Sequence, residues 1–236
     1  MSPTSEVSVD RASLALGLTR LPRIQAKNTS LLAALHQQLP EADLRQAEAC
    51  HAGNRRIEFL TGRFVLRRIL QNRFGLAGVR IETMPCGRPC LSGHSLSISV
   101  SHSSGWVAAG ALSRGSLGID VEGPREHCAL PRRLGSMYHA AGVPEILVSR
   151  HWPLIEARAK CTGTSIGLLL QRPELCLTID KNYCRGWFIC DQYLMRYMRL
   201  PGAQLAICLS SDVYSVYIDR VALYLTPSTD RDASRD

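Results

Sequence analysis

The chain has 236 residues, 28 of them basic and 20 acidic, for a formal charge of +8. With 45% hydrophobic and 20% charged residues it has the balance of a globular protein with a core, which excludes intrinsic disorder and collagen-like or low-complexity character. The length admits a single large domain or a pair of small ones, and no run approaches the ~20 apolar residues of a membrane helix.

Residues 31–50 read as helical, with Pro40 as a boundary and Glu41 opening a second helix. Residues 54–73 give the clearest helical spacing, through Ile57, Leu60, Phe64, Leu66, Ile69 and Leu70. Arg55, Arg56, Arg63, Arg67, Arg68 and Arg73 take its other positions, either as a solvated basic face or as an anion-binding rim. Cys86, Cys90 and His94 recur every fourth residue, as zinc ligands can. Gly87 and Pro89 break that stretch and no fourth ligand is evident, so plain buried thiols are the preferred reading.

From residue 95 the period changes to two, and Leu96, Ile98 and Val100 alternate with serines in a half-buried strand. Trp106–Leu112 and Leu117–Glu122 read as two further strands, so 95–122 is expected to be an antiparallel meander. Helix returns near Met137–His139 and at Trp152–Cys161, where Pro153 fits the first helical position. Beyond Gly163 the chain reads as strands, at Leu175–Ile179, Trp187–Tyr193, Leu205–Leu209 and Val213–Leu225. Helices followed by strands, twice over, suggest an α+β protein of two similar halves, 1–113 and 114–226, before a polar tail at 227–236.

The positive charge asks for an anionic partner, and nucleic acid, a phosphorylated cofactor and an acidic protein all qualify at this level. The basic residues comprise 25 arginines and only three lysines, Lys27, Lys160 and Lys181. A lysine at a chemically loaded position therefore stands out. There are nine cysteines and no C-x-x-C pair, and Met1–Asp10 is too polar for a secretory signal, so reduced thiols in a cytoplasmic protein are expected.

Asp120 and Glu122 share one face of a strand while Ile119 and Val121 take the other. Two adjacent acids repel unless a cation lies between them, and Mg²⁺ with its preference for carboxylate oxygen would satisfy both. Exposed acids at a strand end, or acids paired with arginine, are the plainer alternative. Trp152, Glu156 and Lys160 lie one turn apart on one helix face, where Glu156 and Lys160 can form an ordinary ion pair and Trp152 can pack in the core. An ammonium on a flexible stem can also follow a phosphate or donate a proton, which a guanidinium does badly. His102, between Ser101 and Ser103, ends the serine strand, and Gly87-Arg88-Pro89 is a tight basic turn upstream.

Together these elements resemble the 4′-phosphopantetheinyl transferase superfamily. Its G-[IV]-D-[IVL]-E strand is matched by Gly118-Ile119-Asp120-Val121-Glu122, and its W-x-x-x-E-[AS]-x-x-K helix by Trp152, Glu156, Ala157 and Lys160. The long, surfactin-synthetase-activator type adds S-H-S, here Ser101-His102-Ser103, and G-[KR]-P, here Gly87-Arg88-Pro89. It also has a helix with G-R and L-R, here Gly62-Arg63 and Leu66-Arg67, and the matching region runs in order from about 55 to 165. One position departs: many members carry lysine before the helix glutamate, where this chain has Ile155, with Arg158 as the candidate to compensate.

The resemblance implies two α+β halves about a pseudo-twofold axis in a monomer, with coenzyme A in the cleft between them. It implies transfer of the phosphopantetheine arm of coenzyme A to a serine of an acidic apo carrier protein, releasing adenosine 3′,5′-bisphosphate. Asp120, Glu122 and Glu156 would hold Mg²⁺, with Mn²⁺ as the alternative. Asp120, Glu156 and Lys160 would be catalytic, Glu156 taking the serine proton and Lys160 stabilising the leaving phosphate. Arg56, Arg63, Arg88, His102 and Lys160 would bind the cofactor's phosphates. Neither a membrane nor nucleic acid is expected as a partner. Two rival readings remain: a Mg²⁺-dependent nuclease or phosphodiesterase, which would also use Asp120, Glu122 and Glu156, and a non-enzymatic nucleic-acid-binding protein acting through the arginine-rich helix at 55–73. Against the latter, aromatics are only 6% of the chain, too few for a stacking surface interleaved with charge.

Overall fold

A computed structural model describes residues 12–21, 29–50, 53–123, 145–182, 186–210 and 216–223. The helix expected near Met137–His139 and the tail at 227–236 lie outside these residues. The described chain is α+β. Its elements are β1 (Ala12–Arg20), α1 (Thr29–Gln38), α2 (Glu41–Glu48), α3 (Gly53–Phe74), β2 (Ile81–Thr83), β3 (Pro89–Leu91), β4 (Ser97–Ser103), β5 (Trp106–Leu112) and β6 (Leu117–Glu122). They continue with α4 (Glu145–Thr162), α5 (Ile166–Leu170), α6 (Pro173–Asn182), β7 (Trp187–Cys190), β8 (Tyr193–Leu200), β9 (Ala203–Leu209) and β10 (Val216–Leu223).

The strands form two four-stranded sheets, ordered β10-β1-β5-β4 and β6-β9-β8-β7, and a small β2-β3 ribbon. Alternation along β5 and β6 sets the layers. Trp106, Ala108 and Leu112 of β5 meet Leu117, Ile119 and Val121 of β6 in a core between the two sheets. Ala109 and Ala111 face the other way, onto Val65, Leu66, Ile69 and Leu70 of α3. Leu154, Ile155 and Ala157 of α4 pack on Met195, Ala206 and Cys208 of the second sheet. The last described strand, β10, runs parallel to β1 and so belongs to the first sheet.

Helix α3 approaches its sheet closely at Gly62, where a Cβ would stand 2.7 Å from Val100 Cγ1. Its arginines are not all solvated. Arg67 pairs with the buried Asp43 of α2 and donates to the Val79 carbonyl at 2.9 Å.

Five expectations about the elements are corrected. First, 95–122 is not a meander: β4 and β5 pair, but β6 pairs with β9 in the other sheet. Both edges of β5 are already taken, by β1 and β4. Second, the serines of β4 do not face water. Ser97 and Ser99 accept from the amides of Leu117 and Ile119 on the neighbouring edge of β6, at 2.9 Å each. Side-chain hydroxyls replace a backbone ladder there and satisfy edge N–H groups that would otherwise be orphaned.

Third, Leu175–Ile179 is part of a helix, α6. Pro173 opens it. Leu175, Cys176 and Ile179 are buried while Leu177 is exposed, a helical rather than alternating pattern that a short apolar run conceals. Fourth, Trp187–Tyr193 is interrupted by a two-residue hairpin turn at Asp191–Gln192, with Asp191 at φ 53°. Aspartate tolerates the left-handed region that such turns need. Fifth, Pro153 sits inside α4 rather than at its start. Proline there forfeits an intrahelical hydrogen bond, and the full burial of Leu154, Ile155 and Ala157 holds the helix through it.

Among the described residues, Cys50, Cys86, Cys90, Cys161, Cys176, Cys190 and Cys208 form no disulfide. Cys86 is exposed and Cys90 half-buried, so those two are not the buried thiols the sequence suggested. No helix among the described residues is long and apolar enough to cross a membrane.

Candidate metal centre

Asp120 and Glu122 project from one face of β6, as strand alternation requires. That face is covered by α4 and the edge of β4, and the two residues are 1% and 7% exposed. Gly118 makes the cover possible. A Cβ on it would fall on the carbonyl of Ala157 and within 2.5 Å of the Cys161 amide nitrogen. Because β6 lies this close to α4, Glu156 and Lys160 reach the two strand acids. One oxygen from each of Asp120, Glu122 and Glu156 lies within 4.8 Å of the others.

Hydroxyls and an ammonium orient these carboxylates. Ser101 Oγ donates to Asp120 Oδ1 at 2.8 Å, and Ser103 Oγ donates to Glu122 Oε2 at 2.6 Å. Lys160 Nζ donates to the same Asp120 oxygen at 2.7 Å and to Ser101 Oγ at 2.9 Å. It stands 3.9 Å from Glu156 Oε2, so the one-turn pair is the looser of its contacts. Asp120 Oδ2 is buried with no hydrogen-bond partner. Three carboxylates against one ammonium leave the centre short of positive charge. Burial above all, then the charge and hydrogen bond of Asp120, push the Glu156 carboxyl up to about 8, with Lys160 opposing and Glu122 adding to the rise. Such a centre could hold a metal ion through three hard oxygen donors, and the orphaned Asp120 oxygen is a ready ligand atom. Among the described residues it is the only such group of acids, histidines and cysteines, so Cys86, Cys90 and His94 do not assemble into one.

His102 stands beside this centre. Its Nδ1 is 3.1 Å from Glu58 Oε2 of α3. Burial lowers its pKa, and Lys160 and Arg55 add to that while Glu58 opposes it. The imidazole thus feels charges from both α3 and α4. Arg88 rises from a tight turn closed by Gly87 at φ 82°. Its Nη1 is 3.5 Å from where a Cβ on Gly163 would be, against the end of α4 that carries Lys160.

The other predicted cations have different surroundings. Arg56 Nη2 is 3.4 Å from His36 Nε2 on the α1 side. Arg63 is buried, donates to Gln46 Oε1 at 2.7 Å, lies 4.0 Å from Asp43 Oδ1 and stacks over Phe59. Arg158, on the other side of α4, is paired with Asp191 and stacked over Tyr193. Position 155 is itself in the core: Ile155 is 0% exposed. Trp152 packs against the same cluster.

Sequence reasoning missed the ties made by Ser101 and Ser103, and it missed Glu58 and Arg55 as neighbours of His102. A signal for Glu58 existed, since it is the only acid in 54–73. Compared with protein-family models and with curated proteins, the chain matches none.

Proposed function

We propose that this protein is a 4′-phosphopantetheinyl transferase, which moves the phosphopantetheine arm of coenzyme A to a serine hydroxyl of an apo carrier protein. The observation that carries the reading is the convergence of Asp120, Glu122 and Glu156 from two elements into one buried centre with Lys160 on its edge. The motifs that supply these residues, G-I-D-V-E and W-x-x-x-E-A-x-x-K, support it. Two sheets, each covered by one long helix, support a pseudo-twofold pair of halves working as a monomer.

Asp120, Glu122 and Glu156 would hold Mg²⁺ or Mn²⁺, whose charge when bound neutralises the pyrophosphate of coenzyme A. The protein's own groups do the rest. In its ionised form, Glu156 accepts the proton of the carrier serine as the serine oxygen forms the new bond to phosphorus. The bond from phosphorus to the bridging pyrophosphate oxygen breaks, and its electron pair leaves with adenosine 3′,5′-bisphosphate. Lys160 stabilises that departing oxyanion. Ser101 holds Lys160 and Asp120 in register, and His102, Arg88 and Arg55 supply positive charge for the phosphates. In-line positioning and charge neutralisation are what phosphoryl transfer needs most. An acidic carrier suits a chain of charge +8.

The test is to incubate the protein with coenzyme A, Mg²⁺ and several apo carrier proteins and to weigh the carriers. A carrier that gains one phosphopantetheine group is the expected result. Asp120→Ala and Glu156→Ala should each abolish the gain, and Lys160→Ala should slow it strongly. No gain in any carrier, or full activity in Asp120→Ala, contradicts the reading.

A further inference from the structure

His102 has two ring nitrogens, and among the described residues only Nδ1 has a partner, Glu58. An ionised carboxylate can only accept, so the 3.1 Å contact with Glu58 requires the proton on Nδ1. That fixes the neutral tautomer and leaves Nε2 as a bare lone pair. A lone pair repels a phosphate oxygen, whereas an Nε2–H donates to one. His102 can therefore bind a phosphate only as the imidazolium, with Nδ1–H to Glu58 and Nε2–H to the ligand. Its surroundings resist that charge. The charged groups acting on the ring are Glu58 and Arg55 from α3 and Lys160 from α4, and two of the three are cations. Burial is the largest source of the resistance. Glu58 is the one neighbour that stabilises the charged ring, and it is itself largely covered, with its side chain 13% exposed.

We infer that Glu58 is a positioning residue for substrate binding: it orients the His102 ring and stabilises its protonated form, so that Nε2–H is presented to a phosphate of the nucleotide. This rests on the transferase reading for the identity of the ligand, though not for the His102–Glu58 linkage itself. Binding a phosphate then takes up a proton, and affinity falls as pH rises through the titration of His102. Losing a carboxylate at this distance lowers a histidine pKa by ~1 unit or more. Above that titration the affinity for a phosphate ligand should drop about tenfold, one pKa unit being a factor of ten.

The test uses the full chain labelled at its histidines, with the His102 resonance assigned by its loss in His102→Asn. In Glu58→Gln the His102 titration should move to lower pH. Affinity for adenosine 3′,5′-bisphosphate, measured by calorimetry in Mg²⁺ buffer, should fall about tenfold near neutral pH and recover as pH is lowered. In the His102→Asn background, Glu58→Gln should have no further effect on that affinity, which a merely structural role for Glu58 would not produce. An unchanged His102 titration in Glu58→Gln overturns the proposal. So does an equal loss of affinity in the His102→Asn background, or a wild-type protein that does not bind the bisphosphate. If the Glu58 effects appear while no carrier is ever modified, the transferase reading falls and the Glu58–His102–phosphate linkage stands.

Discussion

Asp120 and Glu156 divide the electrostatics of the centre between them. Asp120 accepts hydrogen bonds from Lys160 and Ser101 on one oxygen, which leaves its other oxygen without a partner. Glu156, half-buried and beside that carboxylate, has its pKa pushed up to about 8. Its folded pKa lies above its ordinary value of 4.5, so its contribution to stability is full below that value and is lost as pH rises toward about 8. Metal-free protein should therefore melt at progressively lower temperature across that window, and Mg²⁺ should raise the melting temperature more at its upper end than at its lower end. Glu156→Gln should flatten the pH dependence; scanning calorimetry with and without Mg²⁺ checks both. The residue one position earlier behaves oppositely. Ile155 is fully buried between α4 and the second sheet, so Ile155→Lys should not restore a phosphate contact. It should destabilise the fold by roughly 3 kcal/mol or more, as an unpaired ammonium enters the core, which a denaturant melt will show.

At the scale of elements, the centre exists because β6 is gripped on two sides. α4 lies on one face at Gly118, and the hydroxyls of β4 hold its edge. Gly118→Ala places a methyl group where the Ala157 carbonyl sits and must push β6 and α4 apart. It should weaken Mg²⁺ binding and transfer together, at a stability cost of about 2 kcal/mol or more. Ser99→Ala leaves the Ile119 amide buried without an acceptor, for roughly 1–3 kcal/mol, without touching a metal ligand. Chemical denaturation of both variants, alongside Mg²⁺ titration, separates the two effects. Much of this architecture was legible in sequence. The spacing of Asp120 with Glu122 and of Glu156 with Lys160 gave their shared faces, because period two and period 3.6 decide that locally. The joining of those faces was expected only through the family resemblance, not from local periodicity. It depends on β6 leaving β5 for β9 and on serines serving as the seam, and both are long-range choices that local alternation cannot reveal. For the same reason Leu175–Ile179 read as a strand: five residues do not fix a period until their neighbours bury one side.

At the scale of the molecule, two sheets meet face to face with a long helix on each outer side, and β10 returns to pair with β1. The first-sheet helix supplies His102's partner and the second-sheet helix supplies Lys160, so the candidate site joins both layers. The arginine surplus reads differently in three dimensions. Arg63, Arg67 and Arg158 serve buried or half-buried pairs with Asp43 and Asp191, and the remaining charge is available as a field. For an acidic carrier, the association rate measured by stopped flow should fall as salt rises, while kcat changes little.

The central claim is that this centre transfers a group to a carrier rather than to water. The most direct measurement follows adenosine 3′,5′-bisphosphate release from coenzyme A in Mg²⁺, with and without an apo carrier. Release should occur only when the carrier is present, in an amount equal to the carrier modified, and not at all from Asp120→Ala. Release from coenzyme A without any carrier would make the centre a phosphodiesterase and contradict the account.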